Sequence, residues 1–140
     1  MSKTFYRIIL LIATSLLACT ASAQLVVNVS PPKLSGEKAV VTLQMKNNFS
    51  EKVESTRAAC FLLDEQGKMV GQATKWIIGG SPEKPGLEAG ATNVFHFVVP
   101  VSKPPVSTNL TAKISVSRLV LAGGKVGDPE KDVRISSSGR

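Results

Sequence analysis

The stretch Val40-Val41-Thr42-Leu43-Gln44-Met45-Lys46 alternates strictly: Val41, Leu43 and Met45 fall on one side, and Thr42, Gln44 and Lys46 on the other. Successive side chains of a β-strand point to opposite faces. A period of two with one apolar side therefore describes a strand with a core on one face and water on the other. The same period returns at residues 92–101, where Phe95, Phe97 and Val99 oppose Val94, His96 and Val98. It returns again at residues 110–121, where Leu110, Ala112, Ile114 and Val116 oppose Thr111, Lys113, Ser115 and Ser117. No long stretch carries the spacing of an amphipathic helix.

Between these three segments the chain is punctuated by turn chemistry. Residues 24–30 read as a first strand ended by Pro31-Pro32, which cannot donate into a ladder. Asn47-Asn48 with Ser50 forms a turn. Residues 53–64 follow as a strand with Ala58, Cys60 and Leu62 on one side, and their length predicts a bulged or twisted first half. Glu65-Gln66-Gly67 is a hairpin connection in which Gly67 takes positive φ, with Asp64 folded back on its own backbone. Residues 68–78 return as a strand with Val70 and Trp76 as packing candidates, and residues 79–86, rich in glycine and proline, form a loop closed by Leu87-Glu88-Ala89-Gly90. Pro100, Pro104 and Pro105 take the chain out of the sheet. A polar turn at residues 123–130 leads to a short last strand at 133–135, and residues 136–140 are expected to fray. About seven short strands over residues 24–135 predict one all-β domain, an immunoglobulin-like antiparallel β-sandwich without the disulfide signature of antibody domains.

Residues 1–23 read as a targeting segment. Lys3 and Arg7 form a cationic start, residues 8–17 an apolar run, and Ala21-Ser22-Ala23 a small-x-small cleavage pattern ending at Ala23. The apolar run is too short to span a bilayer as a helix. Leu16-Leu17-Ala18-Cys19 offers a competing reading as a lipobox, in which Cys19 is acylated and becomes the mature terminus. Either way the expectation is export, with membrane attachment only if Cys19 is lipidated. Cys60 is then the sole thiol of the mature chain, so no internal disulfide forms, and its apolar neighbours predict burial.

The formal charge of +7 falls to about +5 once Lys3 and Arg7 are removed. The remaining bases are scattered singly and the aromatics are few, which speaks against a nucleic-acid partner. His96, the only histidine, stands on an outward face with no nucleophile or acid tied to it by a motif. Cys60 and His96 together fall two ligands short of a structural zinc site, and the acids at 128–132 lack the glycine and closing glutamate of an EF-hand. No glycine-rich phosphate cradle opens a helix. The reading carries no catalytic residue, no metal and no cofactor. Trp76 and Ile78, beside the 79–86 loop, are the candidates for binding, with Trp76 filling the core as the competing assignment.

Residues 41–99 resemble the FxLYD-type domains of exported bacterial proteins, small immunoglobulin-like sandwiches. Cys60-Phe61-Leu62-Leu63-Asp64 overlays the motif, with Leu62 at its leucine and Asp64 at its aspartate. Asn47 or Asn48 matches the asparagine after the preceding strand, Gly67 the hairpin glycine, and Gly90 the glycine before the Phe95 strand. Cys60 stands in place of the motif's phenylalanine, Leu63 of its tyrosine, and Ala89 of its proline. The resemblance implies fold and export, and it implies no catalysis. Taken together, these readings predict a non-catalytic binding or scaffolding module of the periplasm or cell surface, with a protein or envelope component as partner. A small-ligand or glycan carrier using the loops at one end, and a hydrolase using His96, are the alternatives.

Overall fold

A computed structural model describes residues 24–101 and 109–137; Cys19, Ala23 and the targeting reading lie outside the described residues. The alternating segments form eight strands: β1 (Leu25–Val29), β2 (Lys33–Ser35), β3 (Lys38–Asn47), β4 (Val53–Leu63), β5 (Met69–Ile78), β6 (Thr92–Pro100), β7 (Thr111–Leu121) and β8 (Val133–Ser137). A 3-10 turn at Ala122–Gly124 and a four-residue helical turn, α1 (Pro129–Asp132), complete the regular structure of the described residues.

The strands build an all-β sandwich. In one sheet β3 pairs antiparallel with β6 on one flank and with β1 and β2 on the other, and β8 lies outside β1. The second sheet has the order β5-β4-β7, with both pairs antiparallel. Leu25, Val27, Val41, Leu43, Met45, Phe97 and Val99 from the first sheet share one core with Ala58, Cys60, Leu62, Ile78, Ile114 and Leu119 from the second. Each large apolar side chain so buried contributes roughly 1.5–3 kcal/mol relative to exposure. A one-residue slip of β3 would replace Val41, Leu43 and Met45 by Thr42, Gln44 and Lys46 in that core, so the register is firmly set.

Three features depart from the sequence reading. Pro31-Pro32 interrupts a strand rather than ending one. The pairs Val29↔Leu43 and Lys33↔Val40 leave one extra residue on the proline side, a bulge placed where the chain has no amide hydrogens to give. The last strand runs to Ser137, two residues beyond its expected end. It is also parallel to β1, with Val27↔Ile135 at the centre, so the first sheet is mixed.

The cause lies in the preceding turn. The Asp128 side chain caps α1 by accepting from Glu130 N–H at 3.0 Å, and Pro129 occupies the first helical turn, where a missing amide costs nothing. Gln24 N–H then donates to the Asp132 carbonyl at 2.9 Å, which brings the chain out alongside β1.

The turns behave as their residues predict. Asp64 Oδ1 accepts from Gln66 N–H at 2.9 Å and Lys68 N–H at 2.8 Å, and Gly67 has φ +78°. Asn47 is fully buried: its Oδ1 accepts from Phe49 N–H at 2.8 Å, and its Nδ2 donates to the Glu51 and Leu87 carbonyls, both at 2.9 Å. That amide ties the β3–β4 connection to the loop before β6 and leaves no polar atom of Asn47 unsatisfied.

Candidate binding surface

The two binding candidates, Trp76 and Ile78, sit on opposite sides of their sheet. Thr56 pairs with Ile78 and Arg57 with Trp76, so Ile77 is an extra residue opposite β4. Ile77 and Ile78 are therefore both buried, at 6% and 0% exposure, and Ile78 cannot reach a partner in the folded protein. Strict alternation assigns the wrong face on one side of such a bulge. Trp76 lies half-buried on the outer face rather than in the core. Its backing is the 79–86 loop: a Cβ at Gly80 would stand 2.6 Å from Trp76 Cβ, so only glycine lets the chain pass there. Lys84 Nζ adds a contact to the Trp76 carbonyl at 3.3 Å.

Across the sheet, Trp76, Arg57 and Arg118 form one row on three neighbouring strands. A second bulge meets the same row. Arg57 pairs with Arg118 and Ala58 with Val116, which leaves Ser117 extra, and both Ser117 and Arg118 are exposed. The sequence could not reveal this row, because it depends on two bulges and on pairings 19 and 61 residues apart in the chain.

The two lateral flanks of the sandwich differ. On the β5–β6 side the sheets meet. A Cβ at Gly71 would stand 2.6 Å from the Pro100 carbonyl, so the backbones approach as closely as a glycine allows. Lys75 Nζ donates to the His96 carbonyl and lies 5.0 Å from the centre of the Phe97 ring. Burial first, and the neighbouring charge of Lys84 second, hold the Lys75 ammonium below its ordinary pKa. A shallow groove of about 320 Å³ lined by Met69, Val70, Gly71, Gln72 and Pro100 marks the end of this flank, and it does not include Trp76.

On the β7–β8 side the sheets part. β8 hydrogen-bonds to β1 and not to β7. The free flank of β7 is covered, among the described residues, only near its C-terminal end. There Val126 bridges Val120, Leu121 N–H donates to the Lys125 carbonyl at 2.7 Å, and Gly127 N–H donates to the Leu119 carbonyl at 2.8 Å. Among the described residues, nothing pairs with this flank of β7 over residues 111–117. The consequence is visible in the core layer. Ile135 shares the inward face of its sheet with Val27, yet it is 37% exposed where Val27 is 1% exposed.

The remaining chemistry is dispersed. His96 is exposed on the outer face of the first sheet, its Nδ1 3.2 Å from Thr42 Oγ1. Cys60 is buried in the core at the middle of β4, where burial pushes its thiol up from 9.0 to about 11. Opposite layers separate these two groups, so they do not converge. The acids at 128–132 serve the helical turn, with Asp132 Oδ2 accepting from Asp128 N–H at 2.9 Å.

No known family profile matches the chain, and no curated protein does. Solved structures do match. IrmA from Escherichia coli is similar at 11% identity and TM-score 0.49, over 81% of this chain and 92% of that one. A Bordetella pertussis protein assigned as ApaA is similar at 17% identity and TM-score 0.48, over 74% and 84%. A β-glucuronidase of glycoside hydrolase family 2 matches at 15% identity and TM-score 0.40, over 71% of this chain but 10% of the enzyme.

Proposed function

We propose that this chain is an exported, non-catalytic binding or scaffolding module of the bacterial periplasm or cell surface, and that it holds a protein partner by accepting one of its strands at the open flank of β7. The observation that carries the reading is the edge at 111–117, which no described residue pairs with, together with an inward-facing Ile135 on the neighbouring end of the other sheet that is 37% exposed. An edge strand offers a row of amide and carbonyl groups ready to pair, and most proteins cover or charge such edges. Addition of a strand there satisfies those groups and removes apolar surface from water in one step. The placement of half-buried Trp76 on an outer sheet face, away from the groove at Met69 and Pro100, favours a partner surface over a small-ligand pocket. Export follows from the reading of residues 1–23.

A photo-cross-linking amino acid at Ser115, compared with one at Thr74, tests the assignment in the native envelope. Both positions pair with Ala59, one on each flank of β4, so they differ only in the edge they face. Adducts confined to Ser115 are expected. Equal adducts at both positions, or none at Ser115, would remove the β7 edge as the binding element. The intact mass of the exported protein distinguishes cleavage after Ala23 from acylation of Cys19.

A further inference from the structure

We infer that the strand received by β7 is an extended segment of a partner protein with acidic side chains four positions apart and apolar residues between them, and that Lys113 and Arg118 recognise those acids. This rests on the reading of β7 as a receiving edge. Arg57 and Arg118 stand directly opposite each other and both are exposed. Like charges opposed across two strands destabilise a sheet. The ion pairs of the described residues, Lys52 with Glu88 and Lys125 with Glu51, involve neither arginine. Strands β4, β5 and β7 carry Arg57, Lys75, Lys113 and Arg118 against a single carboxylate, Glu54, whose Oε1 already accepts from Gly123 N–H at 3.3 Å. No carboxylate of the described residues forms an ion pair with either arginine, and an anion beside β7 would offset their repulsion.

The pleat fixes the spacing. A strand added to β7 sets alternate residues beside Lys113, Ser115 and the Ser117–Arg118 bulge, so the positions meeting the two cations are four apart. The intervening residues turn inward, over half-buried Val116. A second copy of this chain fits poorly, because an antiparallel β7–β7 pairing centred on Ser115 places Lys113 against the other copy's Ser117–Arg118 bulge. Charge complementarity therefore selects an acidic segment of another protein.

The test uses the mature chain and a synthetic peptide with two glutamates four positions apart, a threonine midway and valines between. Binding is followed by the fluorescence of Trp76, the chain's only tryptophan, and by hydrogen exchange of the β7 amides. The glutamate peptide is expected to protect β7. The double variant Lys113→Gln/Arg118→Gln, checked for melting no lower than the parent's, is expected to weaken it about tenfold or more, as is glutamine in place of both glutamates. Equal binding of the glutamine peptide, with β7 still protected, overturns the acidic recognition and leaves the receiving edge standing. Failure of every peptide to protect β7 overturns the receiving edge itself. Protection that rises with protein concentration alone assigns the edge to a second copy, and binding to anionic lipid vesicles in preference to the peptide assigns the cations to a membrane surface. Either result overturns the proposal.

Discussion

The two flanks of the sandwich are made of the same kind of strand and end differently. Between β5 and β6 the backbones come together at Gly71 and Pro100, and Lys75 occupies the His96 carbonyl while its ammonium lies over Phe97. Between β7 and β8 a capped helical turn carries the chain across to β1, and no described residue pairs with the edge of β7 over residues 111–117. The closed flank uses three devices that suppress strand addition: a proline, a charged side chain on an edge carbonyl, and a close backbone approach. Between residues 111 and 117 the open flank has, among the described residues, no proline and no close backbone approach, only the charge of Lys113 and the bulge at Ser117. Phe97 and Val99 are fully buried toward the first flank, whereas at the second Val116, Leu121 and Val133 are only partly buried against the core and Ile135 meets water.

The largest expected effect lies at the closed flank. Phe97 is fully buried and carries Lys75 over its ring, so Phe97→Ala is expected to cost about 3–5 kcal/mol by denaturant unfolding. A loss below about 1 kcal/mol would mean that this flank is as loosely packed as the other.

A pH titration asks whether water reaches the centre of the sheet from the open side. Cys60 pairs with Ala73 toward the closed flank and Ile114 toward the open one. Its folded pKa is raised by burial from 9.0 to about 11, so the unfolded chain loses its thiol proton first. The stabilisation is complete below pH 9 and is lost as pH rises toward 11, with a fall of no more than about 2–3 kcal/mol. Lys75 works in the opposite direction. Its folded pKa is lowered, so its contribution improves as pH rises toward the unfolded value. Cys60→Ala is expected to flatten the alkaline fall and Lys75→Met to steepen it. An alkaline stability curve that is the same with and without Cys60 would mean that solvent enters the open seam.

Much of the sandwich was legible in the sequence, because alternation is a local signal with the same period as the pleat. The faces of β3, β6 and the first half of β7 follow directly from it, as do the Asp64–Gly67 turn and the burial of Cys60. The site was legible only in part. Trp76 and Ile78 were marked by their position beside a loop, but a bulge at Ile77 turned one outward and the other inward. The length of residues 53–64 predicted irregularity in the first half of β4, where the register shifts opposite Ile77 and Ser117 fall, but which residue of β5 or β7 becomes extra there is a property of two strands at once. For the same reason Arg57 and Arg118 read as scattered bases until pairing set them side by side. The parallel course of β8 depends on Gln24 meeting Asp132, a contact between the two ends of the domain, and short-range patterning is silent about such contacts.

Paired substitutions on the two flanks sharpen the contrast at smaller energies. Gly71→Ala places a methyl group 2.6 Å from the Pro100 carbonyl and 3.3 Å from Val99 Cγ1. Backbone has to move to admit it, at a cost of roughly 1–3 kcal/mol. Ile135→Ala removes a side chain that is already 37% exposed, so it is expected to cost about 1 kcal/mol or less. Thermal unfolding of both variants ranks them directly. If Ile135→Ala proves the more damaging, β8 is a packed strand and the open flank is misdescribed.

The smallest effect has the opposite sign. Arg118→Gln relieves a cross-strand repulsion with Arg57 while keeping a long polar side chain on an exposed face. It is expected to raise stability by about 0.2–1 kcal/mol at low ionic strength, with the gain shrinking as salt screens the pair in the parent protein. Most exposed substitutions change stability little or lower it, so even a small salt-dependent gain identifies the opposed arginines as a cost carried by the free protein. A loss of stability, or a gain indifferent to salt, would show that Arg118 serves the fold, and the row it forms with Arg57 and Trp76 would then be structural. Combining Arg118→Gln with Phe97→Ala completes the contrast. The two residues lie on different flanks and different sheets, so their effects should add.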